Sequence, residues 1–406
     1  MERIFDLNEK IDIISLGYSI IFYTTNYMPN KFPVKSTLIA FFYQKILKKI
    51  LFKIDPEKVH DKMINVGKLL GEHVVGQKLT ACLFDYKNEK LTQTILGIKF
   101  ANPVGLAAGF DKNAELIDIL PYVGFGFEEV GSITGQQCAG NSKPRLWRLP
   151  ESKGLVVHYG LKNNGCVDIA TQIKNKILKI PLGISIAKTN CAETVDTEAG
   201  IADYVKAYKE MSPIGSYSTI NISCPNAFGG EPFTDPIKLD KLLVEIDKIP
   251  SAKPIFIKLS PDLSLPEIDA LVNVCKLHHI SGFISSNLTK KRSNEKIIDT
   301  NVPEKGGVSG KVVEELSNVL IKHLYQKYGQ EFIIIGCGGV FSAEDAYKKI
   351  KLGASLIQMI TGMIFEGPQV IGDINRGLVE LLDKDGFKNI SEAVGFENRQ
   401  ITSSPK

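Results

Sequence analysis

The sequence lacks paired cysteines. Its seven cysteines are scattered, with no CxxC pair and no spacing typical of metal ligands, at positions 82, 138, 166, 191, 224, 275 and 337. This pattern favours reduced thiols in a cytosolic or matrix-like compartment over a disulfide framework or a zinc site. We therefore expect no bound metal.

The sequence also lacks a strong charge bias. A net charge of +4 over 406 residues is too small to indicate nucleic acid as a partner. Hydrophobic residues make up 44% of the chain and charged residues 23%, which is ordinary for a globular protein. The length allows one large domain or two ordinary ones.

A clear targeting segment is missing as well. Residues 11–28 are apolar but include Asp12, and their length is marginal for a membrane span. The flanking Glu2, Asp6 and Glu9 argue against a signal peptide or an Arg-rich transit peptide. We interpret residues 1–35 as an apolar N-terminal segment and a candidate anchor. The sequence leaves open whether it spans a bilayer.

Residues 36–80 predict a pair of helices. Ser36 is expected to cap a helix over residues 37–54. Asp55 followed by Pro56 is a start signal for a second helix that runs to about Leu70. We therefore expect a two-helix extension before the main domain.

The first of these helices is apolar around most of its surface and carries a basic stripe. The stripe consists of Lys45, Lys48, Lys49 and Lys53. Such a helix can lie in a membrane interface. The alternative is a core helix docked on the main domain, whose lysines are simply solvated.

From about residue 100 onward, short β-rich runs alternate with amphipathic stretches. The predicted strands cover residues 103–107, 125–131, 182–187, 218–223, 254–259, 282–286, 332–336 and 355–360. Eight such units predict a closed (β/α)8 TIM barrel within residues 81–396, followed by a tail over 397–406. An open doubly wound sheet is the alternative, but no GxGxxG follows the first strand. Residues 91–99 predict a hairpin under the barrel, and residues 144–157 an antiparallel insertion over its top.

Reactive and polar side chains follow the predicted strands. In the fourth unit Cys224 lies between Asn221 and Asn226, and a thiol there can act as a base while the amides bind a planar polar ligand. A buried cysteine flanked by turn-forming asparagines is the alternative. Lys112 follows the first strand and Lys258 ends the fifth, where a lysine is costly without an anionic partner.

Glycines follow the last two predicted strands. Gly338 and Gly339 follow the seventh strand and Gly362 the eighth, the corner where such barrels bind phosphate through backbone N–H groups. Each glycine alone would indicate only a turn. Together with the two lysines and the thiol they suggest a barrel that binds flavin mononucleotide, FMN, with Lys258 stabilising charge that develops on the flavin.

These motifs resemble the dihydroorotate dehydrogenase family over roughly residues 45–396. The matching segments are 100–112 (FANPVGLAAGFDK), 143–149 (KPRLWRL), 221–226 (NISCPN), 258–263 (KLSPDL), 306–310 (GGVSG), 335–339 (IGCGG) and 353–358 (GASLIQ). The segment Asp55-Pro56-Glu57 looks like the N-terminal extension of the membrane-bound, quinone-reducing class.

The resemblance implies a role for each matching residue. Cys224 would remove a proton from carbon 5 of dihydroorotate while hydride leaves carbon 6. The substrate would be held by Lys112, Asn221, Asn226 and Asn287. FMN would be contacted by Ala108, Gly109, Lys112, Ser132, Ser185, Asn221, Lys258, Ser286, Gly310, Gly339, Ile360 and Thr361.

The resemblance also implies the partners and the location. The reaction would be dihydroorotate oxidation to orotate in pyrimidine (UMP) biosynthesis, with quinone as the electron acceptor. The N-terminal helices would contact a membrane surface, either the bacterial cytoplasmic membrane or the mitochondrial inner membrane.

Several residues depart from the family pattern. The membrane-bound class normally has Ser at Cys224 and Asn at Ser185, and a different loop over residues 227–236, so these positions look like the soluble class. Val157 and Leu161 fall where the family places a substrate-binding Asn and a Phe, and Leu288 replaces a Thr. Losing an amide that pairs with a buried polar ligand costs about 1–3 kcal/mol.

These departures leave alternatives open. One is an FMN oxidoreductase of the same fold that acts on another cyclic substrate, or that uses fumarate or a nicotinamide partner as acceptor. A non-catalytic flavin-binding or membrane-assembly protein is a third hypothesis. Retention of Lys112, Asn221, Cys224 and Asn226 argues against this last one.

Overall fold

The computed structural model describes residues 33–402, and the side chains of residues 36–399. Most of the predicted N-terminal segment 1–35, including its apolar stretch 11–28, and the end of the predicted tail lie outside these ranges.

Residues 33–84 form a helical segment, which we call the extension. The first helix runs through Pro33–Phe42, a π-helical turn Tyr43–Leu47 and Lys48–Leu51. The expectation that Ser36 caps this helix is wrong, because the helix begins at Pro33 and the Ser36 hydroxyl donates to the Asp373 carboxylate.

The second helix of the extension, Pro56–Glu72, begins as predicted. The Asp55 Oδ1 atom accepts a hydrogen bond of 2.9 Å from the Lys58 N–H, which satisfies a free donor of the first turn. A third helix, Val74–Phe84, follows where no separate helix was predicted. It crosses the second helix at Gly76, where an added Cβ would lie 2.5 Å from the Leu70 carbonyl oxygen.

The main domain is a closed barrel of eight parallel strands, as predicted. A short antiparallel hairpin precedes it, with strands β1 (Gln93–Ile95) and β2 (Ile98–Phe100). The barrel strands, in order around the barrel, are β3 (Val104–Leu106), β4 (Phe127–Ile133), β7 (Leu182–Ile186), β8 (Tyr217–Asn221), β9 (Ile255–Leu259), β10 (Gly282–Ser285), β12 (Ile333–Cys337) and β13 (Leu356–Met359). All of their pairings are parallel, so their carboxyl ends share one face.

The lower end of the barrel is filled by aromatic and aliphatic side chains. The hairpin closes this end, as predicted, because Ile95 and Phe100 pack with Phe127, Tyr217 and Phe256. Two strand glycines make room for these rings. A Cβ on Gly105 would lie 2.3 Å from the Phe127 ring, and one on Gly183 would lie 2.2 Å from the Tyr217 ring.

A three-stranded antiparallel sheet covers the other end of the barrel. The predicted insertion supplies β5 (Leu146–Leu149) and β6 (Gly154–Val157). The third strand, β11 (Gly307–Gly310), was not predicted and pairs with β6. The sheet therefore brings a segment that follows β10 back over the barrel mouth.

Helices surround the barrel. The longer ones are Cys166–Ile173, Thr197–Met211, Pro236–Asp247, Leu265–Cys275, Glu314–Tyr328, Ala343–Lys351 and Val370–Asp385. Shorter helices are Leu120–Val123, Thr361–Glu366, Ile390–Ala393 and Phe396–Thr402, and single 3₁₀ turns are Glu89–Leu91, Glu193–Val195, Pro232–Thr234 and Lys311–Val313.

Candidate functional site

A cavity of about 1290 Å³, including its open mouth, lies between the carboxyl ends of the barrel strands, the covering sheet and the extension. Nearly all of the predicted site residues line it. These are Ala108, Gly109, Lys112, Ser132, Asn221, Cys224, Asn226, Lys258, Ser286, Asn287, Gly310, Gly339, Ile360 and Thr361. The barrel thus brings together residues that are more than 250 positions apart in the chain.

Ser185 differs from this set. It is fully buried on β7 and does not line the cavity. Its Oγ atom lies 2.7 Å from the Ser132 Oγ atom, which also accepts a hydrogen bond of 2.8 Å from the Asn221 side-chain amide. Ser185 therefore lies behind Ser132 and orients it, and its contact with a cofactor stays a prediction.

Cys224 is half-buried in the loop that follows β8. Burial raises the pKa of its thiol to about 11, since a thiolate loses solvation there, while the nearby Lys188 and the Asn226 backbone N–H favour the charged form. The base of this loop is fixed to the barrel. The Asn287 amide donates to the Ser223 carbonyl at 2.8 Å, and the Ser223 hydroxyl donates to the Lys258 carbonyl at 2.7 Å.

The region around Asn226 is less polar than the family pattern implies. The Asn226 amide N–H donates to the Val157 carbonyl at 2.9 Å, so this donor is already used within the protein. Leu161 and Leu288 line the cavity together with the Val157 side chain. A ring bound here meets apolar groups on one edge.

Lys112 is enclosed by residues that sequence reasoning missed. Its Nζ atom lies 4.1 Å from the centre of the Tyr159 ring and 3.2 Å from the His60 Nε2 atom. The same Nε2 atom lies 2.8 Å from the Phe110 carbonyl, and the His60 Nδ1 atom lies 3.2 Å from the Asp61 carboxylate. The imidazole therefore lies between two groups that can only accept, with the Lys112 amine beside its Nε2 atom.

Burial lowers the pKa values of both Lys112 and His60. Burial lowers the pKa of Lys112 to about 7, and the neighbouring Lys162 ammonium adds to the effect. Burial, together with the charge of Lys112, lowers the pKa of His60 to about 4. No carboxylate of the described side chains forms an ion pair with Lys112. The site is therefore ready to bind an anion.

Spacing in the sequence could have identified both missed residues. His60 follows the buried Glu57 by three positions and precedes the buried Ile64 by four, so the three share one helix face. Tyr159 lies midway between Val157 and Leu161, the two positions already interpreted as facing the substrate.

The opposite side of the cavity has the features of an anion-binding corner. Gly310 and Gly339 both have positive φ, at 87° and 76°, and a Cβ on Gly339 would lie 2.3 Å from the Glu314 Cβ atom. The Thr361 hydroxyl lies 2.9 Å from the Ser309 hydroxyl beside them. Lys258 is only 4% exposed, and its ammonium has no hydrogen-bond or ion-pair partner among the described side chains.

Toward the extension the cavity becomes apolar and aromatic. Leu155, Phe341 and Ile364 line it there. Phe52 of the extension packs edge-on against Phe365, with ring centroids 5.3 Å apart. The Arg148 guanidinium lies over the Phe52 ring, at 4.7 Å from its centre, and donates to the Ile54 carbonyl at 2.7 Å. Arg148 thereby attaches this part of the extension to the barrel.

The fold and the site define a class: a (β/α)8-barrel enzyme whose cavity is lined by lysine, cysteine and asparagine side chains and opens toward a helical extension. A sequence model described as "Dihydroorotate dehydrogenase" matches residues 90–382. The chain belongs to the dihydroorotate dehydrogenase family.

Curated relatives are similar over most of the chain. A protein of Trichodesmium erythraeum named dihydroorotate dehydrogenase (quinone) is 36% identical over 377 residues, which cover 88% of this chain and 99% of the relative. One of Haloarcula marismortui with the same name is 35% identical, covering 87% of this chain and 98% of the relative.

A solved structure of an Eimeria tenella dihydroorotate dehydrogenase in complex with ferulenol has a TM-score of 0.75. It is 27% identical to this chain and covers 85% of this chain and 96% of its own.

Proposed function

We propose that the protein oxidises dihydroorotate to orotate in pyrimidine biosynthesis, with FMN as its cofactor and a quinone as electron acceptor. The observation that carries the proposal is the placement of Lys112, Asn221 and Cys224 around one cavity beside the unpartnered Lys258. An anion site, an amide and a candidate base thus face the same space.

The residues present fit FMN. Lys258 lines the cavity and is 4% exposed, and its ammonium has no ion-pair partner among the described side chains, so it calls for an anionic or polar ligand. Gly310 and Gly339 line the cavity with backbone that carries no side chain of its own, which suits a phosphate group. When bound, FMN supplies a hydride acceptor at its N5 atom. Ser132, Lys258, Gly310, Gly339 and Thr361 would hold it.

The chain's own residues account for the rest of the reaction. The Lys112 ammonium holds the substrate carboxylate, since no carboxylate among the described side chains lies within ion-pair distance of it. The Asn221 side chain is fixed by Ser132 and Asn287 and lines the cavity, where it would bind the substrate ring. Cys224 takes the proton from carbon 5 of the substrate, so its S–H bond forms as the C–H bond breaks. A positioned base contributes about 10²–10⁴-fold to such a step.

A quinone acceptor is supported by the apolar end of the cavity. Leu155, Phe341 and Ile364 form a mouth toward the extension that suits an apolar ring better than a charged dinucleotide. The curated relatives described above carry quinone in their names.

Membrane association is supported by the surface of the extension. Large apolar side chains there are at least 37% exposed: Leu38, Phe41, Phe42, Ile46, Leu47, Ile50, Met63, Val66, Leu69, Val74 and Val75. Three of the predicted basic residues, Lys45, Lys49 and Lys53, are also exposed, whereas Lys48 turns inward over the Phe365 ring. Among the residues the structure describes, no helix is long and apolar enough to cross a bilayer. The extension would lie in the interface.

The proposed activity is tested by anaerobic titration of the FMN-loaded protein. Dihydroorotate should bleach the flavin and yield orotate, and a short-chain soluble quinone should reoxidise it faster than fumarate or NAD⁺. A flavin that stays oxidised under dihydroorotate would contradict the proposal. The apolar edge formed by Val157, Leu161 and Leu288 favours a second candidate, another cyclic substrate of the same fold. Bleaching by a less polar ring substrate alone would support it.

Flotation with anionic lipid vesicles tests the membrane contact. Replacing Lys45, Lys49 and Lys53 together by Glu should reduce co-flotation several-fold. A matched triple variant at the exposed Lys174, Lys322 and Lys384 should float like the parent. Equal flotation of all three proteins would defeat the interfacial assignment.

A further inference from the structure

The loop that carries Cys224 is held at one residue by two side chains from the segment after β7. The Phe228 N–H donates to the Asn190 side-chain oxygen at 2.5 Å, and the Phe228 carbonyl accepts from the Lys188 ammonium at 2.8 Å. The Phe228 side chain itself is 58% exposed and contributes little to this attachment. The loop is therefore positioned through its backbone.

Lys188 is an unusual choice for this task, because it is a buried cation. It is only 3% exposed, and its ammonium also donates to the Thr194 hydroxyl at 3.4 Å. Among the described side chains no carboxylate lies within ion-pair distance of it. A neutral donor could bind the Phe228 carbonyl at lower cost, because burying an unpaired ammonium is unfavourable.

Lys188 is the cation whose charge favours a thiolate at Cys224. The other titratable groups that act electrostatically on Cys224 or Lys188 are Glu231, Cys138, Tyr204, Cys191 and Asp203. Burial lowers the pKa of Lys188 itself, and the charges of Cys191, Cys224 and Asp203 act against this effect. Glu231 disfavours the thiolate, but it forms an ion pair of 2.7 Å with Lys290. Lys188 lowers the pKa of Cys224 against the effect of burial.

We propose that Lys188 is a positioning residue for the reaction, which fixes the loop through the Phe228 carbonyl and acts as the counter-ion of the Cys224 thiolate. The inference rests on the base role proposed for Cys224. This role explains why the Lys188 ammonium is buried without a carboxylate partner. Its partner is the Cys224 thiolate, which forms when Cys224 loses its proton and is neutralised when Cys224 takes the proton from the substrate.

The test is the alkylation of Cys224 by iodoacetamide in the FMN-loaded protein without substrate, followed peptide by peptide between about pH 7 and pH 10. Only the thiolate reacts, so the rate reports its population. Lys188→Gln should slow the alkylation of Cys224 about tenfold at each pH, which corresponds to a pKa increase of about one unit. The exposed Cys82 in the same sample serves as the internal reference.

Two further variants separate charge from loop attachment. Asn190→Ala removes the other bond to Phe228 but keeps the cation, so the pH dependence of Cys224 alkylation should stay as in the parent. Lys188→Arg keeps the positive charge and provides a second test if the neutral Lys188→Gln variant does not fold. In Lys188→Arg the alkylation of Cys224 should be as fast as in the parent. An unchanged rate in Lys188→Gln, or equal slowing in Lys188→Arg, would overturn the proposal. Because no turnover is measured, these outcomes are independent of which substrate the enzyme oxidises.

Discussion

The His60 Nε2 atom lies 3.2 Å from the Lys112 Nζ atom, so a helix of the extension touches the residue that holds the substrate's carboxylate in our proposal. Burial, together with the charge of Lys112, lowers the pKa of His60 to about 4 and keeps it uncharged at neutral pH. Lys112 forms no ion pair with a carboxylate of the described side chains, so a bound anion would be its partner.

The first prediction concerns the pH dependence of orotate binding. Burial and Lys162 lower the pKa of Lys112 to about 7, and an anion binds the protonated amine. The dissociation constant should therefore be nearly constant below about pH 7 and should rise above it, by up to about tenfold per pH unit. Flavin absorbance titrations of the FMN-loaded protein measure it. A dissociation constant that stays flat to pH 9 would show that Lys112 keeps its charge.

A second prediction follows from the cause of that pKa shift. Lys162→Gln removes a positive charge that disfavours protonated Lys112, so the pKa of Lys112 should rise and tight orotate binding should extend to higher pH. Lys174→Gln removes the charge of an exposed lysine and serves as the control. In the same titrations, the pH at which the orotate dissociation constant begins to rise should be higher in Lys162→Gln and unchanged in Lys174→Gln. Equal inflections in both variants would exclude an effect of Lys162.

The third prediction concerns the half-reaction in which dihydroorotate reduces the flavin. Burial raises the pKa of Cys224 to about 11, so thiolate is the minor form at neutral pH and increases about tenfold per pH unit. Under saturating substrate, the stopped-flow rate of flavin bleaching should increase with pH throughout the neutral range. Cys224→Ala should lower it about 10²–10⁴-fold while FMN stays bound. Bleaching of the Ala variant at the parent rate would remove Cys224 from the mechanism.

Most of the barrel could be predicted from sequence because its strands are short apolar runs that end in glycine or polar residues. These local sequence patterns do not show which strands pair with each other when they are distant in the chain. Strand β11 (Gly307–Gly310) contains two glycines and is a strand only because β6 pairs with it from a distant part of the chain. Likewise Ser36 resembles an N-cap, but its hydroxyl bonds Asp373 across the structure.

Site residues could be predicted where the strand end itself determines the position, as for Asn221 and Lys258. The hydrogen bond that places Ser185 behind Ser132 could not be predicted, because sequence does not show which neighbouring strand residues lie directly on the cavity. Lys188 was missed because it contacts the site from the segment after β7, outside the recognised motifs. His60 was missed because its spacing from Glu57 and Ile64 on the helix of the extension was not used. Their roles depend on burial and on partners that only the fold brings near.

The fourth prediction concerns the attachment of the extension to the barrel. Glu57 on the second helix and Arg145 before β5 are both 5% exposed, and the guanidinium donates to the carboxylate at 2.8–3.2 Å. The remaining guanidinium nitrogen donates to the Ala139 and Asn141 carbonyls. Despite burial, the hydrogen bond and charge of Arg145 lower the pKa of Glu57.

Glu57→Ala would leave the Arg145 charge buried without its partner, so it should destabilise the protein by about 3–5 kcal/mol. Glu72→Ala, at the exposed end of the same helix, should change the free energy of unfolding by no more than about 0.5 kcal/mol. Thermal and denaturant unfolding near neutral pH provide the comparison. Because the folded pKa of Glu57 is depressed, its contribution is present above the unfolded value of about 4.3 and fades as pH falls below it. A Glu57→Ala variant as stable as the Glu72 control at neutral pH would show that the extension is attached mainly by its apolar contacts.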